Sequence, residues 1–489
     1  MPGAPTPTSF ALLLGRLLHQ AAIRPMHPAF IEGDRVTSYG ELATLIATQG
    51  EALKSLIQPG ERVAVAMDNC TELAVAIYAI WWAGGVAVAL NPALKPADIA
   101  QLTEACQARF CWAALAEVPP ASTTDTAPRA AESGALASLV FTSGTTGQPK
   151  GVMLSHGALA ANALAVQQTL PMSPADVTLC VLPFHYAFGS SVLHTHLSLG
   201  ATLVLENSFM YPQRIVQRMA QVAATHFYGV PSSFYLLLER GQLASQPLPS
   251  LRHVAQAGGP MDPARIERVR QALPEVGFWV MYGQTEACSR LTTLAPDRLA
   301  SKPGSVGAPL PGVELQVRNQ QGRSLPTGEV GDIWARGPNL MLGYWASPED
   351  TATTLVDGWL HTGDIGRLDV DGFLFLHGRS REILKVGAHR VSPHEIEQCI
   401  QAVPGVGECA VVPLPDELLG EVVRACVVPT AGHPPLPQLT RDIQRHCREH
   451  LALYKAPKQI DFFDALPRTA SGKVQKHLIG AATPLAPAT

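Results

Sequence analysis

Short apolar runs with strand character alternate with helical runs through the first three quarters of the chain. Residues 62–67 and 86–90 are strand-like, and residues 72–82 between them have a helical pattern. The same order recurs between residues 201 and 228. Such βαβ units form parallel strands that helices cover. The sequence therefore predicts an α/β fold with parallel or mixed sheets.

Two domains are expected, because 489 residues exceed what a single hydrophobic core supports. The character of the sequence changes near Gly378, and the residues from there to Lys473 are typical of a small α+β unit. We therefore predict a large N-terminal domain over 1–380 and a small, mobile C-terminal domain over 381–489. The low-complexity stretch at 118–133 is interpreted as a loop within the first domain.

Composition and charge exclude several classes of protein. The net charge is −4 and no stripe of Lys or Arg occurs, which argues against a nucleic-acid partner. The most apolar stretch, 74–90, is short for a membrane span and contains Gly84 and Gly85, so a buried helix, turn and strand are favoured. The N-terminus lacks the features of a secretory signal. A cytoplasmic protein without a membrane span is expected, and its oligomeric state stays open.

The strongest motif is the segment SGTTGQPKG at 143–151, which follows the apolar strand 137–141. Glycines let backbone N–H groups approach phosphate oxygens, and the interleaved hydroxyls add donors. The order of residues differs from a Walker A loop, and the alternative is a simple Gly/Thr turn. The predicted nucleotide-binding residues are Thr142, Ser143, Gly144, Thr145, Thr146, Gly147 and Lys150.

This segment resembles the phosphate loop of the adenylate-forming superfamily, which comprises acyl-CoA synthetases, nonribosomal-peptide adenylation domains and firefly luciferase. Further segments resemble that family's motifs in order: YGQTE at 282–286, a GEL…GY-like stretch at 328–344, TGD at 362–364 and PRTASGK at 467–473. The resemblance implies ATP-dependent activation of a carboxylic acid to an acyl-adenylate, pyrophosphate release, and transfer to a thiol.

The resemblance also implies roles for residues in YGQTE. Tyr282 and Gly283 would contact the nucleotide, with the aromatic ring able to stack on adenine. Thr285 would hydrogen-bond the acyl phosphate, and Glu286 would hold Mg²⁺ against the phosphates. The GEL…GY-like stretch would be mostly scaffold.

Other roles fall later in the chain. Asp364 would accept hydrogen bonds from the ribose hydroxyls, since a carboxylate only accepts hydrogen bonds, and Arg379 would assist at the ribose. Lys473 would neutralise the substrate carboxylate and the α-phosphate, and the alternative for it is a solvated surface lysine. Arg381 matches the hinge, where many relatives have Asp or Lys. Gly387 and Ala388 match the thiol tunnel, and Ala388 replaces a glycine that is usual in the family.

The resemblance also implies an acid pocket, formed by the segment PFHYAFG at 183–189, which matches the family's gate, and by two later segments. The gate segment has no carboxylate to pair with an α-ammonium, so a hydrophobic aliphatic or aromatic acid is favoured over an amino acid. A core histidine is the alternative interpretation of the gate residue His185. The predicted pocket residues are His185, Tyr186, Phe227, Tyr228, Gly258, Gly259 and Pro260.

The acceptor thiol is expected to come from another molecule, because no carrier-domain signature follows Lys473. Coenzyme A is the leading prediction, and the phosphopantetheine of a separate acyl-carrier protein is the alternative. A luciferase-type oxygenation is a further possibility on this scaffold. From other classes, a kinase would need a Walker-type Lys-Ser/Thr, and a non-catalytic nucleotide-binding protein would not need Lys473. Acid-dependent pyrophosphate exchange separates these hypotheses.

Overall fold

The computed structural model describes residues 12–118, 127–142, 149–379, 384–386, 389–416, 420–468, 474–481 and 485. The helices of this part are α1 (Leu13–Ile23), α2 (Tyr39–Lys54), α3 (Thr71–Trp82), α4 (Pro96–Ala105), α5 (His156–Thr169), α6 (Ala187–Leu199), α7 (Pro212–Gln221), α8 (Pro231–Glu239), α9 (Pro263–Ala272), α10 (Pro348–Thr354), α11 (Pro393–Gln401) and α12 (Leu436–His450).

The first fourteen strands are β1 (Pro28–Glu32), β2 (Arg35–Ser38), β3 (Arg62–Val65), β4 (Val86–Ala89), β5 (Ala108–Trp112), β6 (Leu136–Thr142), β7 (Lys150–Ser155), β8 (Val177–Cys180), β9 (Thr202–Leu205), β10 (His226–Gly229), β11 (His253–Gln256), β12 (Gly277–Tyr282), β13 (Thr292–Leu294) and β14 (Ala308–Pro309). The later strands are β15 (Glu314–Arg318), β16 (Gly331–Arg336), β17 (Gly343–Tyr344), β18 (Leu355–Val356), β19 (Trp359–Leu368), β20 (Leu374–Arg379), β21 (Leu384–Val386), β22 (His389–Val391), β23 (Val406–Asp416), β24 (Gly420–Pro429) and β25 (Gln459–Phe462).

The predicted βαβ rhythm is confirmed. Residues 62–90 form β3, α3 and β4, and the two strands pair in parallel with Val63 opposite Ala87. The strands predicted between residues 201 and 228 are β9 and β10, with α7 between them. No helix among the described residues is both long and apolar enough to cross a bilayer. The apolar stretch at 74–90 is instead most of α3 followed by β4.

The largest sheet has nine strands in the order β14-β13-β12-β11-β10-β8-β9-β1-β2. Its strands run parallel from β12 to β1. The carboxyl ends of parallel strands lie at the same edge of a sheet. The chain therefore leaves the sheet at this edge after Cys180, Gly229, Gln256 and Tyr282. Ligand sites in α/β proteins lie outside the carboxyl ends of parallel strands. The gate residues His185 and Tyr186, the 258–260 segment and Gly283 follow three of these points.

A second, six-stranded sheet has the order β17-β7-β6-β4-β3-β5. One continuous hydrophobic core contains Val63 of β3 and Leu203 of β9 together with α3. Every residue of α3 except Glu72 is buried. A helix that is apolar on all sides needs cover on all sides. The helices between the two sheets therefore bind them into one body, which fixes the loops at their edges.

Two further sheets complete the chain. Strands β15, β16, β18, β19 and β20 form an antiparallel sheet, and β21–β25 form another. The last sheet packs with α11 and α12 around its own core, which includes Ile396, Val411 and Ile443. This is the small α+β unit that the sequence predicts. Arg265 of α9 contacts it, donating from Nη2 to the Gly407 carbonyl at 2.9 Å.

Candidate active site

Residues 282–290, which follow the carboxyl end of β12, contribute to three clusters of side chains. The segment folds back tightly after Tyr282, and a Cβ on Gly283 would collide with the carbonyl oxygen of Ser289. Thr285–Ala287 is a 3₁₀ turn. Cys288 and Ser289 then have φ angles of 51° and 90°, in the left-handed region that non-glycine residues rarely adopt. Such backbone strain is typical of functional sites.

The first cluster joins Tyr282, Asp364 and Arg379. Asp364 and Arg379 are opposite each other in the β19–β20 pair. The Arg379 Nε atom lies 3.1 Å from Asp364 Oδ1, and the Tyr282 hydroxyl donates to Asp364 Oδ2 at 2.5 Å. Burial, and next the charge of Asp364, raise the pKa of Tyr282 well above its ordinary value. The phenol is therefore a neutral donor that orients the carboxylate.

The second cluster surrounds Glu286. Its Oε1 accepts a hydrogen bond from the Tyr344 hydroxyl at 2.8 Å, and burial, then Glu286, raise the pKa of that phenol. Lys150 lies with Nζ 5.3 Å from the centre of the Tyr344 ring and 2.7 Å from Asp350 Oδ1. Within the described chain, Glu286 Oε2 makes no hydrogen bond. One fixed and one available oxygen fit a ligand for Mg²⁺.

Tyr344 is a site residue that the sequence analysis missed, because it treats the GEL…GY-like stretch as scaffold. Its hydroxyl touches the predicted metal ligand directly. The available signal was the Gly343-Tyr344 pair, since a tyrosine that is half-buried in a short strand uses its hydroxyl for a hydrogen bond.

The third cluster contains Phe188, Tyr228 and Arg290. The Phe188 and Tyr228 rings meet edge to face with centroids 6.5 Å apart. The Arg290 guanidinium carbon lies 5.6 Å from the centre of the Phe188 ring, and Arg290 is only 1% exposed. Sequence reasoning also missed Arg290. The signal for it in the sequence was a single cationic residue in an otherwise uncharged run after YGQTE.

Phe227 does not join this cluster. Successive residues of a strand point to opposite faces of the sheet, and Phe227 packs on Phe234 with ring centroids 5.7 Å apart. Phe227 and Tyr228 accordingly belong to different hydrophobic cores. The expectation that both line one pocket is corrected by this alternation, and only Tyr228 is on the Phe188 side.

The gate segment holds His185 and Tyr186 side by side, with ring centroids 4.3 Å apart. Burial lowers the pKa of His185 to about 4, so its imidazole is neutral at pH 7. Its Nε2 is buried and has no partner among the described residues. This nitrogen of His185 is therefore available for a hydrogen bond to a ligand.

The loop after β11 supplies Gly258, Gly259 and Pro260. Gly258 has a φ of 85°, and a Cβ there would lie 3.2 Å from Val230 Cγ1. The Gln256 amide donates to the Gly259 carbonyl at 2.5 Å, which fixes the turn. A residue with a side chain at 258 would thus strain the backbone and crowd the loop after β10.

Two predicted residues border the segment 143–148, and several others lie outside the described ranges. Thr142 and Lys150 are opposite each other where β6 and β7 meet the phosphate segment. The Thr142 hydroxyl donates to the Lys150 carbonyl at 3.4 Å. The residues outside the described ranges are Ser143, Gly144, Thr145, Thr146, Gly147, Arg381, Gly387, Ala388 and Lys473.

Comparison with known proteins gives consistent matches over most of the chain. Residues 17–345 match the AMP-binding enzyme family, and residues 395–473 match the AMP-binding enzyme C-terminal domain. A feruloyl-CoA synthase from Amycolatopsis sp is 32% identical, covering 94% of this chain and 96% of that protein. The fatty acid–[acyl-carrier-protein] ligase ScoC from Streptomyces coeruleorubidus is 30% identical, covering 93% of each.

A solved structure is similar over the same extent. The o-succinylbenzoate coenzyme A synthetase from Bacillus subtilis, in complex with ATP and magnesium ion, superposes with a TM-score of 0.84 at 28% identity. The match covers 95% of this chain and 99% of that one. The chain therefore belongs to the AMP-binding enzyme family and is an adenylate-forming, AMP-forming acid–thiol ligase of the acyl-CoA synthetase type that uses ATP.

Proposed function

We propose that the first two clusters form the nucleotide site. The ribose hydroxyls would donate hydrogen bonds to Asp364, and the contacts of this carboxylate with Tyr282 and Arg379 hold it in place. Glu286 would hold Mg²⁺, which when bound neutralises phosphate charge. Lys150 and Thr142 would flank the phosphates at the ends of β7 and β6. The observation that carries this proposal is the convergence of Tyr282, Asp364 and Arg379 from distant parts of the chain.

In the first half-reaction a carboxylate oxygen of the acid attacks the α-phosphorus of ATP. The bond to the bridging oxygen breaks and pyrophosphate leaves with the electron pair. In the second, the thiol sulfur attacks the acyl carbon, AMP leaves, and the thiol proton is released. No protein nucleophile is needed, so positioning and charge neutralisation supply the rate. Lys473 would neutralise the junction of carboxylate and α-phosphate, and Thr285 would hydrogen-bond the acyl phosphate.

The domain boundary is proposed at residues 380 and 381, with Arg381 as the hinge. It lies between the two family matches, which end at 345 and begin at 395. Rotation about this hinge would replace the Lys473 loop by the segment with Gly387 and Ala388 at the site, so that each half-reaction has its own arrangement.

The acid would bind between the gate segment and Tyr228, and it would carry no α-ammonium. His185 and Tyr186 are uncharged, as burial lowers the pKa of the imidazole and raises that of the phenol. A buried carboxylate, Asp176, lies near Tyr228 but is already paired with Arg252 and has His226 Nδ1 at 3.7 Å. The feruloyl and o-succinylbenzoate relatives favour an aromatic acid.

The finer identity of the acceptor is also a proposal. Free coenzyme A is favoured over a carrier protein because the feruloyl and o-succinylbenzoate relatives are coenzyme A enzymes. The ScoC relative supports the phosphopantetheine of a carrier protein as a second candidate.

A panel of carboxylic acids tests both proposals. Pyrophosphate release is measured in the presence of ATP and Mg²⁺ under three conditions: with coenzyme A, with a phosphopantetheinylated carrier protein, and without either thiol. We expect acid-dependent release, and thioester formation with coenzyme A. A standard amino acid that is a better substrate than every simple acid would contradict the pocket assignment. Transfer to the carrier protein alone would contradict the choice of coenzyme A.

A further inference from the structure

Arg290 is a buried cation that contacts Phe188 of the gate segment. It is 1% exposed and among the largest fully buried side chains of the described chain. Its backbone is held firmly, because the carbonyl accepts from the amides of Asn339 at 2.8 Å and Asn162 at 3.3 Å. The side chain therefore starts from a fixed point and extends towards Phe188 and Tyr228.

The guanidinium lacks a counter-charge within the described residues. Its Nη1 contacts the sulfur of Met281, a weak and uncharged acceptor. Its Nε is buried without any partner in that part of the chain. The remaining contact is with the face of the Phe188 ring. A guanidinium offers five donors in a planar fork, so most of its hydrogen-bonding capacity is unused.

The titratable neighbours of Arg290 do not supply a negative charge. Burial raises the pKa of Tyr228, so the phenol stays protonated. Burial lowers the pKa of His196 to about 4. His196 Nδ1 lies 2.7 Å from the Val192 carbonyl and must donate to it, so Nε2 accepts from the Thr178 hydroxyl at 2.9 Å. Both rings around the cation are thus neutral.

An unpaired buried charge is costly in a folded protein, and the usual relief is loss of the charge. For Arg290 that relief is absent at neutral pH. Burial lowers the pKa of its guanidinium only to about 10, which leaves it protonated. The charge therefore persists, and a ligand that brings the opposite charge regains the lost interaction.

We infer that Arg290 binds a second carboxylate of the substrate acid, so that this enzyme activates a dicarboxylic acid and holds its far carboxylate in a bidentate pair. The inference rests on the proposed acid pocket and narrows its substrate class. Planar carboxylates match the guanidinium fork. A cation at this place also repels an α-ammonium, in agreement with the proposed exclusion of amino acids.

The test compares matched acids. Unbranched dicarboxylic acids and benzenedicarboxylic acids are each paired with the monocarboxylic acid in which a methyl group replaces the far carboxylate. The ratio of kcat/KM for pyrophosphate release is measured for the full chain and for Arg290→Met, Arg290→Lys and Arg268→Met. Arg268 lies on α9, half-exposed and paired with Glu239, and is the control for loss of an arginine outside the site.

We expect the unmodified enzyme to prefer a dicarboxylic acid by on the order of 10²-fold, as for a buried charge pair. Arg290→Met should remove or invert this preference, Arg290→Lys should keep part of it, and Arg268→Met should leave it unchanged. A preference of the unmodified enzyme for monocarboxylic acids would overturn the inference. So would equal losses of kcat/KM for the dicarboxylic and the monocarboxylic acid in both Arg290→Met and Arg290→Lys. Absence of release with every acid would overturn the proposed function beneath it.

Discussion

Replacing Asp364 by alanine is the sharpest test of the nucleotide site, because the structure specifies what is lost. The buried Tyr282 loses a charged acceptor for its hydroxyl at 2.5 Å, and a hydrogen bond to a charged group is worth about 1.5 to 3 kcal/mol. The Arg379 side chain is 44% exposed, so solvent limits its pair with Asp364 to about 1 kcal/mol or less. The free energy of unfolding should therefore fall by about 1.5 to 4 kcal/mol.

The same change should weaken ATP binding. Loss of the proposed bonds to the ribose should raise KM for ATP by about 10- to 100-fold, at 1.4 kcal/mol per factor of ten. Both quantities are measurable, by denaturant unfolding and by pyrophosphate release at varied ATP. Asp364→Asn is the matched control, since its amide oxygen still accepts from Tyr282 but lacks charge, and about half of the stability loss is expected.

Two results would refute this reasoning. A free energy of unfolding changed by less than about 0.5 kcal/mol in Asp364→Ala would mean that the Tyr282 contact is not stabilising. An unchanged KM for ATP in a stably folded variant would mean that the ribose lies elsewhere.

The further predictions concern the lysine loop, the hinge together with the thiol tunnel, and pH. Lys473→Ala should slow adenylation on the order of 10²-fold or more while sparing thioester formation from synthetic acyl-adenylate; normal pyrophosphate release would contradict it. Arg381→Pro should lock one domain arrangement, and Ala388→Trp should block the thiol tunnel while Ala388→Gly keeps or improves thiol use. In single-turnover assays, equal losses in both half-reactions for Arg381→Pro and Ala388→Trp would indicate misfolding instead. The free energy of unfolding should fall as pH is lowered from about 6.5 towards 4, because burial depresses histidine pKa values in the folded state and the unfolded chain binds more protons there; a flat profile in denaturant titrations would contradict this. The histidines concerned are His156, His185, His194 and His196, with pKa values lowered to about 4, 4, 3 and 4.

The alternation of strands and helices could be predicted from sequence because it is a local property. The apolar period changes at β3, α3 and β4 within residues 62–90, and each element forms where the pattern places it. The order of the motifs was equally visible, since glycine, hydroxyl and charged residues stand at short spacings in YGQTE and TGD. Such patterns specify which chemistry is present, and they led to the correct family.

Contacts across the chain could not be obtained in this way. Tyr282 and Asp364 are 82 residues apart, and only the packing of two sheets brings the hydroxyl onto the carboxylate. Tyr344 reaches Glu286 through the pairing of β17 with β7, which no local spacing shows.

The sequence by itself thus determined the α/β architecture and the activity class. Only the tertiary structure decided which of two neighbouring residues lies on the Phe188 side of the sheet. Phe227 and Tyr228 are both aromatic and buried, and the face that each occupies depends on how β10 lies in its sheet. In the sequence, Arg290 looks like any other charged residue, and only the structure shows that it is buried. The cost of removing its charge from water depends on all the groups that pack around it, and these come from distant segments of the chain.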